Sequence, residues 1–383
     1  VGSPTGTPAG DPTAAAPSIP QSNTPNVQPI AVGASPSQTR NMLTTSVTVC
    51  TPGSASCVTI DSIQVDTGSQ GLRILASALP AGLALPAVTA GSGGAAVTGE
   101  CGVFGTGYTW GAVRTADIRM AGQLAAAVPI QVIADPALPT VPADCTRSGQ
   151  PMMSASTLRV NGILGVGLFA ADCGSGCVTS ALPRWYYACD STGACSPSTQ
   201  PLALQVTNPV SRFATDNNGI VIDLPAVADA GAPQVSGQLI FGIGTQANNT
   251  LGSATVLKAN TQTGYVITSM NGQSYSQSFI DSGSNGLFFP STTLAQCGFW
   301  YCPPSAQTST ATLSGTNGAT ATLSFSVANA QSLFATANNA FDNLAGPSST
   351  VFDWGLPFFF GRRIYTAIES RATSAGNGPY YAF

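Results

Sequence analysis

Short runs in which apolar residues alternate with small polar residues recur along the chain, and turn residues separate them. Residues 42–50 and 56–65 are two such runs, rich in Thr, Val and Ile, on either side of a Pro-Gly turn. This alternation around a turn predicts a β-hairpin. Residues 265–280 predict a second hairpin around Asn-Gly, and residues 238–244 predict a core strand. The pattern therefore predicts an all-β protein.

Each predicted hairpin ends in one of two similar ten-residue sequences. Residues 65–74 read VDTGSQGLRI, and residues 280–289 read IDSGSNGLFF. Five of the ten positions are identical, and the two aspartates, Asp66 and Asp281, stand 215 residues apart. Each copy places a carboxylate directly after an apolar strand, followed by a hydroxyl, a glycine and a second hydroxyl. The repeat predicts two similar lobes that bring the two aspartates face to face.

Composition supports this architecture and excludes several function classes. The chain has 383 residues, enough to bury a large core and to divide into two lobes. Only 7% of residues are charged, whereas 42 Gly and 28 Pro fit a turn-rich β protein. The balance of 12 basic and 16 acidic residues gives no electrostatic footprint for nucleic acid or for an anionic membrane. The apolar runs are also too short to span a bilayer.

Histidine is absent from the sequence. This excludes a Ser-His-Asp or Cys-His catalytic arrangement and removes the commonest zinc ligand. We therefore expect no metal and no cofactor.

Ten cysteines, most of them closely spaced, predict disulfide bonds in an oxidising compartment. Zinc is the rival interpretation, but the C-x-x-C spacing is absent. The spacing favours three local bonds, Cys50–Cys57, Cys189–Cys195 and Cys297–Cys302. It does not fix the remaining four cysteines, for which Cys101 with Cys145 and Cys173 with Cys177 is one assignment. We expect a secreted, periplasmic or cell-surface protein whose signal peptide was removed before residue 1.

The chain divides into three predicted segments. Residues 1–26 are rich in Pro, Ala, Gly and Thr with a single charge, so we expect a disordered tether. A propeptide that plugs an acidic cleft is the alternative, but the segment carries no Lys or Arg to pair with carboxylates. Residues 27–208 form the predicted first lobe, ending in a cysteine-rich connection, and residues 209–383 form the second.

Between the two aspartates, residues 103–111 read VFGTGYTWG. Two glycines that bracket a threonine between apolar residues are typical of an ordinary hairpin tip. The functional interpretation is a mobile flap over a cleft, in which Phe104, Gly105, Thr106 and Tyr108 contact a ligand.

These segments together resemble the pepsin-type aspartic proteases. The resemblance runs from about residue 27 to the end, and its segments occur in the family's order. They are the two Asp-Thr/Ser-Gly-Ser motifs at 66–69 and 281–284, the flap-like 104–107, the bracing segment 162–165, and the strands 236–242 and 364–369.

The resemblance implies an all-β, bilobal, double-barrel fold with a cleft between the lobes. It implies that Asp66 and Asp281 are the catalytic pair and that supporting residues surround them. In that family the hydroxyls of Thr67 and Ser282 would brace the loops against each other. The remaining supporting residues would be Ser69 and Ser284, which hydrogen-bond the outer carboxylate oxygens, and Gly68 and Gly283, which allow the tight turns.

Three positions depart from the family pattern. Phe104 stands where the flap usually has a tyrosine, and Arg73 stands where that tyrosine's tryptophan partner usually lies. Residues 352–355, Phe-Asp-Trp-Gly, lack the apolar pair expected before the glycine of the second bracing segment.

Two carboxylates that share one proton can act as general base and general acid. They share it because two negative charges about 4 Å apart repel by roughly 4 kcal/mol at an effective dielectric near 20. The first hypothesis is a monomeric aspartic endopeptidase acting on peptides or unfolded proteins. The alternative is a catalytically weak or inactive pepsin-like protein of the cell envelope that binds peptides or proteins. A third is a structural surface module.

Overall fold

The computed structural model describes residues 24–90 and 96–383, which are mostly β, with short helices. Most of the predicted tether, residues 1–23, lies outside the described residues. The end of that segment is ordered, because Asn26 is only 2% exposed and its Nδ2 donates to the carbonyl of Phe241 at 2.9 Å.

The strands before residue 209 are β1 (Val27–Val32), β2 (Leu43–Cys50), β3 (Cys57–Asp66), β4 (Gln70–Leu75), β5 (Thr89–Ala90), β6 (Ala96–Phe104), β7 (Gly107–Met120), β8 (Gln123–Ile133), β9 (Gln150–Pro151), β10 (Gly162–Val166), β11 (Tyr186–Cys189) and β12 (Cys195–Pro197). The later strands are β13 (Gly219–Leu224), β14 (Val235–Phe241), β15 (Val256–Lys258), β16 (Val266–Met270), β17 (Gln273–Ile280), β18 (Leu287–Phe289), β19 (Gln296–Cys297), β20 (Trp300–Tyr301), β21 (Gln307–Ser314), β22 (Thr320–Val327), β23 (Ala345–Pro347), β24 (Phe352–Trp354), β25 (Arg362–Ala367) and β26 (Tyr380–Ala382). The α-helices are α1 (Ala143–Thr146), α2 (Ala155–Leu158), α3 (Ser175–Thr179) and α4 (Ala330–Phe334).

The strand that carries Asp66, β3, is part of a closed barrel. The strands β2, β3, β10, β4, β8 and β7 pair in that order, and β7 pairs back to β2. Alternating apolar residues of these strands fill the interior, where Val47, Val65 and Leu164 are fully buried. Both hairpins predicted from the sequence are confirmed, since β2 pairs with β3 and β16 pairs with β17.

The second copy of the aspartate motif lies in a similar, open arrangement of seven strands, ordered β22, β21, β16, β17, β24, β18 and β23. In the barrel, β10 lies parallel to β3 and antiparallel to β4. In the open sheet, β24 lies parallel to β17 and antiparallel to β18. The repeat in sequence therefore corresponds to a repeat in strand pairing.

A third group of strands joins the two copies. β1 pairs with β2 of the barrel on one side and with β14 on the other, in register from Val27↔Ile240 to Val32↔Val235. The ladder continues through β13, β25, β26 and β15. Residues 27–32 are thereby hydrogen-bonded to strands that follow residue 209. Residues 356–359 form a 3-10 turn before β25.

All ten cysteines form disulfides. The three predicted local bonds are confirmed, and the other four cysteines pair as Cys101–Cys145 and Cys173–Cys177. Five disulfides indicate an oxidising compartment. Within residues 24–90 and 96–383, no helix is long and apolar enough to cross a membrane.

Candidate functional site

The ends of β3 and β17 meet where the two repeated motifs face each other. Asp66 is the last residue of β3, and Asp281 directly follows Ile280, the last residue of β17. The middle strand of each set supports the turn beside the aspartate: Gly165 of β10 pairs with Asp66, and the carbonyl of Trp354 accepts the Asp281 N–H at 2.9 Å. Sheet hydrogen bonds thus fix the position of both carboxylates.

Four hydrogen bonds join the two loops through Thr67 and Ser282. Ser282 Oγ accepts from the Thr67 N–H at 3.0 Å, and Thr67 Oγ1 accepts from the Ser282 N–H at 2.9 Å. Each hydroxyl then donates across the interface, from Thr67 to the Ile280 carbonyl at 3.1 Å and from Ser282 to the Val65 carbonyl at 2.8 Å. Both side chains are buried. The contacts are reciprocal, so the two loops are related by an approximate twofold axis.

Gly68 and Gly283 allow each carboxylate to pack against the opposite loop. A Cβ atom on Gly68 would lie 2.6 Å from the carboxylate oxygen Oδ1 of Asp281, and one on Gly283 would overlap Oδ1 of Asp66. Each glycine also donates its N–H to the Oδ1 of its own loop's aspartate, at 2.8 Å for Gly68 and 2.7 Å for Gly283. The geometry leaves no room for a side chain at either position, and it brings the two acids together.

The second hydroxyl of each motif binds the other carboxylate oxygen. Ser69 Oγ lies 2.6 Å from Asp66 Oδ2, and Ser284 Oγ lies 2.9 Å from Asp281 Oδ2. The match is incomplete, because Ser284 Oγ also lies 2.5 Å from Oδ2 of Asp353, in the middle of β24. The sequence marks Asp353 only as a departure from an apolar pair and does not place it beside the site.

Asp66 is buried and Asp281 is partly exposed, and no cation neutralises them within the described residues. Asp66 is 6% exposed, and no Lys or Arg forms an ion pair with Asp66 or Asp281 in the part of the chain that the structure describes. Burial, and next the negative charge of Asp66, raise the pKa of Asp281 well above its ordinary value. The pair therefore retains one proton at pH values where isolated carboxyls are ionised, and it titrates as a unit.

The predicted flap is a hairpin of β6 and β7 with its tip at Gly105 and Thr106. Both tip residues are exposed, and Phe104 is half-buried. Tyr108 is not brought to the surface with them, because it is 5% exposed and packs in a cluster with Trp110 behind the hairpin. Of the four candidate ligand contacts on the flap, Gly105 and Thr106 are exposed, Phe104 is partly accessible and Tyr108 is buried.

Arg73 lies under the flap in a buried ionic cluster. Its guanidinium binds Glu100 at 2.6 Å and Asp172 at 3.0 Å, and it lies 5.5 Å below the ring of Phe104. Tyr186 in turn donates to Asp172. Burial, and then the charge of Glu100, raise the pKa of Asp172 well above its usual range. This cluster connects the strand after the first aspartate loop to a flap strand. It lies at the position where Arg73 differs from the residue usual in pepsin-type sequences.

A cavity of about 310 Å³ opens between the first loop, the flap and the cysteine-rich connection. Its walls are polar near Asp66 and aromatic near the flap. The lining residues are Gly68, Ser69, Gln70, Arg73, Gly102, Val103, Phe104, Asp172, Pro183, Arg184 and Trp185.

The sequence matches a protein-family model over most of its length. A model of the family described as "Protein of unknown function (DUF3443)" matches residues 22–383. The chain belongs to this family. No curated protein matches the chain.

In this DUF3443 member, no group of three or more His, Cys, Asp or Glu residues suited to a metal ion occurs among the described residues. The side chains gathered at the site are carboxyls, hydroxyls and one amide, that of Gln64. Gln64 on β3 donates its Nε2 to the Gly283 carbonyl at 3.0 Å and adds a fifth hydrogen bond between the loops. The strand also exposes Thr59 and Asp61, so the polar side chain of Gln64 gave no sequence signal for this role.

Proposed function

We propose that this protein is an aspartic endopeptidase that hydrolyses peptide bonds with a water molecule held between Asp66 and Asp281. The observation that carries the proposal is the reciprocal bracing of the two loops by Thr67 and Ser282, at 3.0 and 2.9 Å. Bracing of this kind holds two buried acids together against their mutual repulsion. Two acids held close together with a shared proton are suited to act as general base and general acid.

The reaction uses the single proton that the pair retains. The water oxygen forms a bond to the peptide carbonyl carbon and gives a proton to the ionised carboxylate, while the protonated carboxyl donates its proton to the carbonyl oxygen. The C–N bond then breaks as the amine nitrogen takes up the proton of one carboxyl, and the other carboxylate takes a proton from a hydroxyl on the tetrahedral carbon. The products are an amine and a carboxylic acid, and the pair again holds one proton. Ser69 and Ser284 hold the outer oxygens, so the inner oxygens face the water.

The substrate in this proposal is an extended peptide or an unfolded protein. It would lie across the acids, beneath the exposed flap tip, with one side chain in the 310 Å³ cavity beside Gln70. The five disulfides favour a secreted, periplasmic or cell-surface location, and the proposal takes the active form as a monomer.

The test is incubation of the purified protein with a peptide library at pH 3–7, with products identified by mass spectrometry. We expect new peptide termini that a statine-type transition-state mimic suppresses. Cleavage that persists in Asp66→Asn would remove the pair from the reaction.

A second candidate function is a peptide-binding protein of the cell envelope with little or no turnover. Phe104 favours it, because a phenyl ring has no hydroxyl with which to hold a substrate, and the Arg73 guanidinium beneath it is paired with Glu100 and Asp172. This candidate predicts saturable binding of the statine-type peptide without any product from the library.

A further inference from the structure

A third carboxyl group is buried directly behind the second aspartate loop. Asp353 is the central residue of β24, which lies between β17 and β18, and it is 6% exposed. Its Oδ2 lies 2.5 Å from Ser284 Oγ, which is itself 2.9 Å from Asp281 Oδ2. Its Oδ1 is buried and has no hydrogen-bond partner among the residues that the structure describes. The proposed reaction assigns this acid no part.

The contacts of Ser284 fix the number of protons in this chain of oxygens. A serine hydroxyl carries one hydrogen, which it can donate to one acceptor only. Ser284 Oγ has a carboxyl oxygen on each side, at 2.9 Å for Asp281 and 2.5 Å for Asp353. Both contacts are hydrogen bonds only if one of the two carboxyls carries its own proton and donates it to Ser284 Oγ.

The fold does not require an acid at this position. In β24, Asp353 pairs with Phe279 of β17, one residue before the Trp354↔Ile280 pair that precedes Asp281. In the barrel, the residue with the matching register is Ile163, which pairs with Gln64 of β3. Ile163 is an apolar residue that is 3% exposed. The first copy of the motif therefore forms the same turn with an isoleucine where the second has a carboxyl.

The surroundings of Asp353 favour its neutral form. Burial is the largest cause that raises the pKa of Asp353, the charge of Asp66 adds to it, and the hydrogen bond from Ser284 opposes it. The titratable groups that face Asp353 are Asp66 and Asp281 on the two loops and the Tyr381 hydroxyl on β26. Among the described residues, Asp353 has no ion-pair partner. A proton is thus held more easily on Asp353 than on an isolated aspartate.

We propose that Asp353 is a positioning residue whose protonated carboxyl donates to Ser284 Oγ and thereby turns the Ser284 hydroxyl hydrogen toward Oδ2 of Asp281. No bond breaks in this arrangement. Asp353 keeps its hydrogen and directs it at Ser284 Oγ, and Ser284 keeps its own and directs it at Asp281. When Asp353 ionises, Ser284 has two competing acceptors and a negative charge lies behind Asp281.

The consequence for catalysis rests on the proposed function. Ionisation of Asp353 would end activity at the upper pH limit, because it withdraws the Ser284 hydrogen bond from Asp281. Loss of the whole carboxyl removes the competing acceptor, so Ser284 keeps its hydrogen bond to Asp281, as Ser69 does to Asp66 in the first copy, where Ile163 holds the matching position.

Two substitutions that remove the ionisation of residue 353 test this effect. Asp353→Asn keeps a donor for Ser284 and cannot ionise, so we expect the upper limit of the pH profile of kcat/KM to move up by about one pH unit or more, with the lower limit unchanged. Asp353→Ile installs the side chain of the matching position, 163, and has neither donor nor charge. Ser284 then has Asp281 as its acidic acceptor at all pH values, so for this variant too we expect the upper limit to move up and the lower limit to stay in place. Profiles of wild-type shape with a lower rate in both variants would overturn the proposal, since they are what a purely structural role predicts.

A control and a second readout guard against misfolding and against failure of the proposed function. Asp342→Asn removes another carboxyl whose pKa burial raises, away from Ser284, and should leave the kcat/KM profile as in wild type. If the wild-type protein cleaves nothing, the proposed function fails, and the pH dependence of urea unfolding then decides the present inference. A loss of stability between pH 4 and 7 that is steeper in wild type than in Asp353→Asn supports a protonated Asp353, and equal slopes overturn it.

Discussion

Removal of the Ser282 hydroxyl tests most simply whether the two distant motifs meet. Ser282→Ala deletes the acceptor of the Thr67 N–H and the donor to the Val65 carbonyl. A buried N–H left without a partner costs about 1–3 kcal/mol, and a lost hydrogen bond costs about 0.5–1.5 kcal/mol. We therefore expect the free energy of unfolding to fall by about 2–4 kcal/mol.

The local readout is amide hydrogen exchange of the folded protein. In Ser282→Ala, the Thr67 amide should lose protection although it lies 215 residues away in sequence. Ser282→Thr is the matched control, because it installs the residue that the first motif has at the equivalent position and keeps the hydroxyl. It should retain the protection at Thr67. If exchange at Thr67 were equally slow in the alanine variant, the two loops would not be joined by these hydrogen bonds.

Three further perturbations test other parts of the molecule. Burial raises the pKa of Asp281 and of Asp353, so each binds its proton more tightly in the folded than in the unfolded chain. Their contribution to stability is present below the unfolded pKa near 4 and is lost as the pH rises through the raised values. The loss is about 1.4 kcal/mol for each pH unit that separates the folded pKa from the unfolded pKa. Urea unfolding from pH 4 to 7 should therefore show falling stability, and a rising curve would contradict this expectation. Arg73→Met leaves two buried carboxylates unpaired and should lower the free energy of unfolding by about 3–5 kcal/mol. Arg363→Met, in a pair more than a third exposed, should lower it by under about 1 kcal/mol. Equal effects in thermal unfolding would count against the buried cluster. Replacing both cysteines of Cys101–Cys145, which are 44 residues apart, by alanine should cost about 4 kcal/mol from loop entropy, and an unchanged urea midpoint would refute that expectation.

The local parts of this fold could be predicted from sequence because their signals lie within about twenty residues. The hairpins that deliver Asp66 and Asp281 are encoded by alternating strands around turns, and Asn271 and Gly272 have the positive φ angles, 53° and 75°, that an Asn-Gly turn favours. The duplicated motif then predicted that the two loops face each other. Close cysteine spacing identified the local disulfides.

The long-range parts could not be predicted in the same way. The pairing of β1 with β14 joins strands about 200 residues apart, and alternation does not specify a partner. The contact between Ser284 and Asp353 joins residues 69 apart, and a polar residue within a short apolar run carries no information about which hydroxyl it reaches. Tyr108 was expected at a ligand surface because it is aromatic and near a glycine turn, but burial in the core explains its presence equally well.

The most direct test of the central claim is the initial rate at which a denatured, fluorescently labelled protein is cleaved at pH 4 by four purified chains. These are wild type, Asp66→Asn, Asp281→Asn and Asp61→Asn, the last of which removes an exposed carboxyl from the same strand, β3. The account predicts cleavage by wild type and Asp61→Asn, with a loss of at least about 1,000-fold when either member of the pair is changed. Cleavage that continued in both Asp66→Asn and Asp281→Asn at the wild-type rate would contradict it.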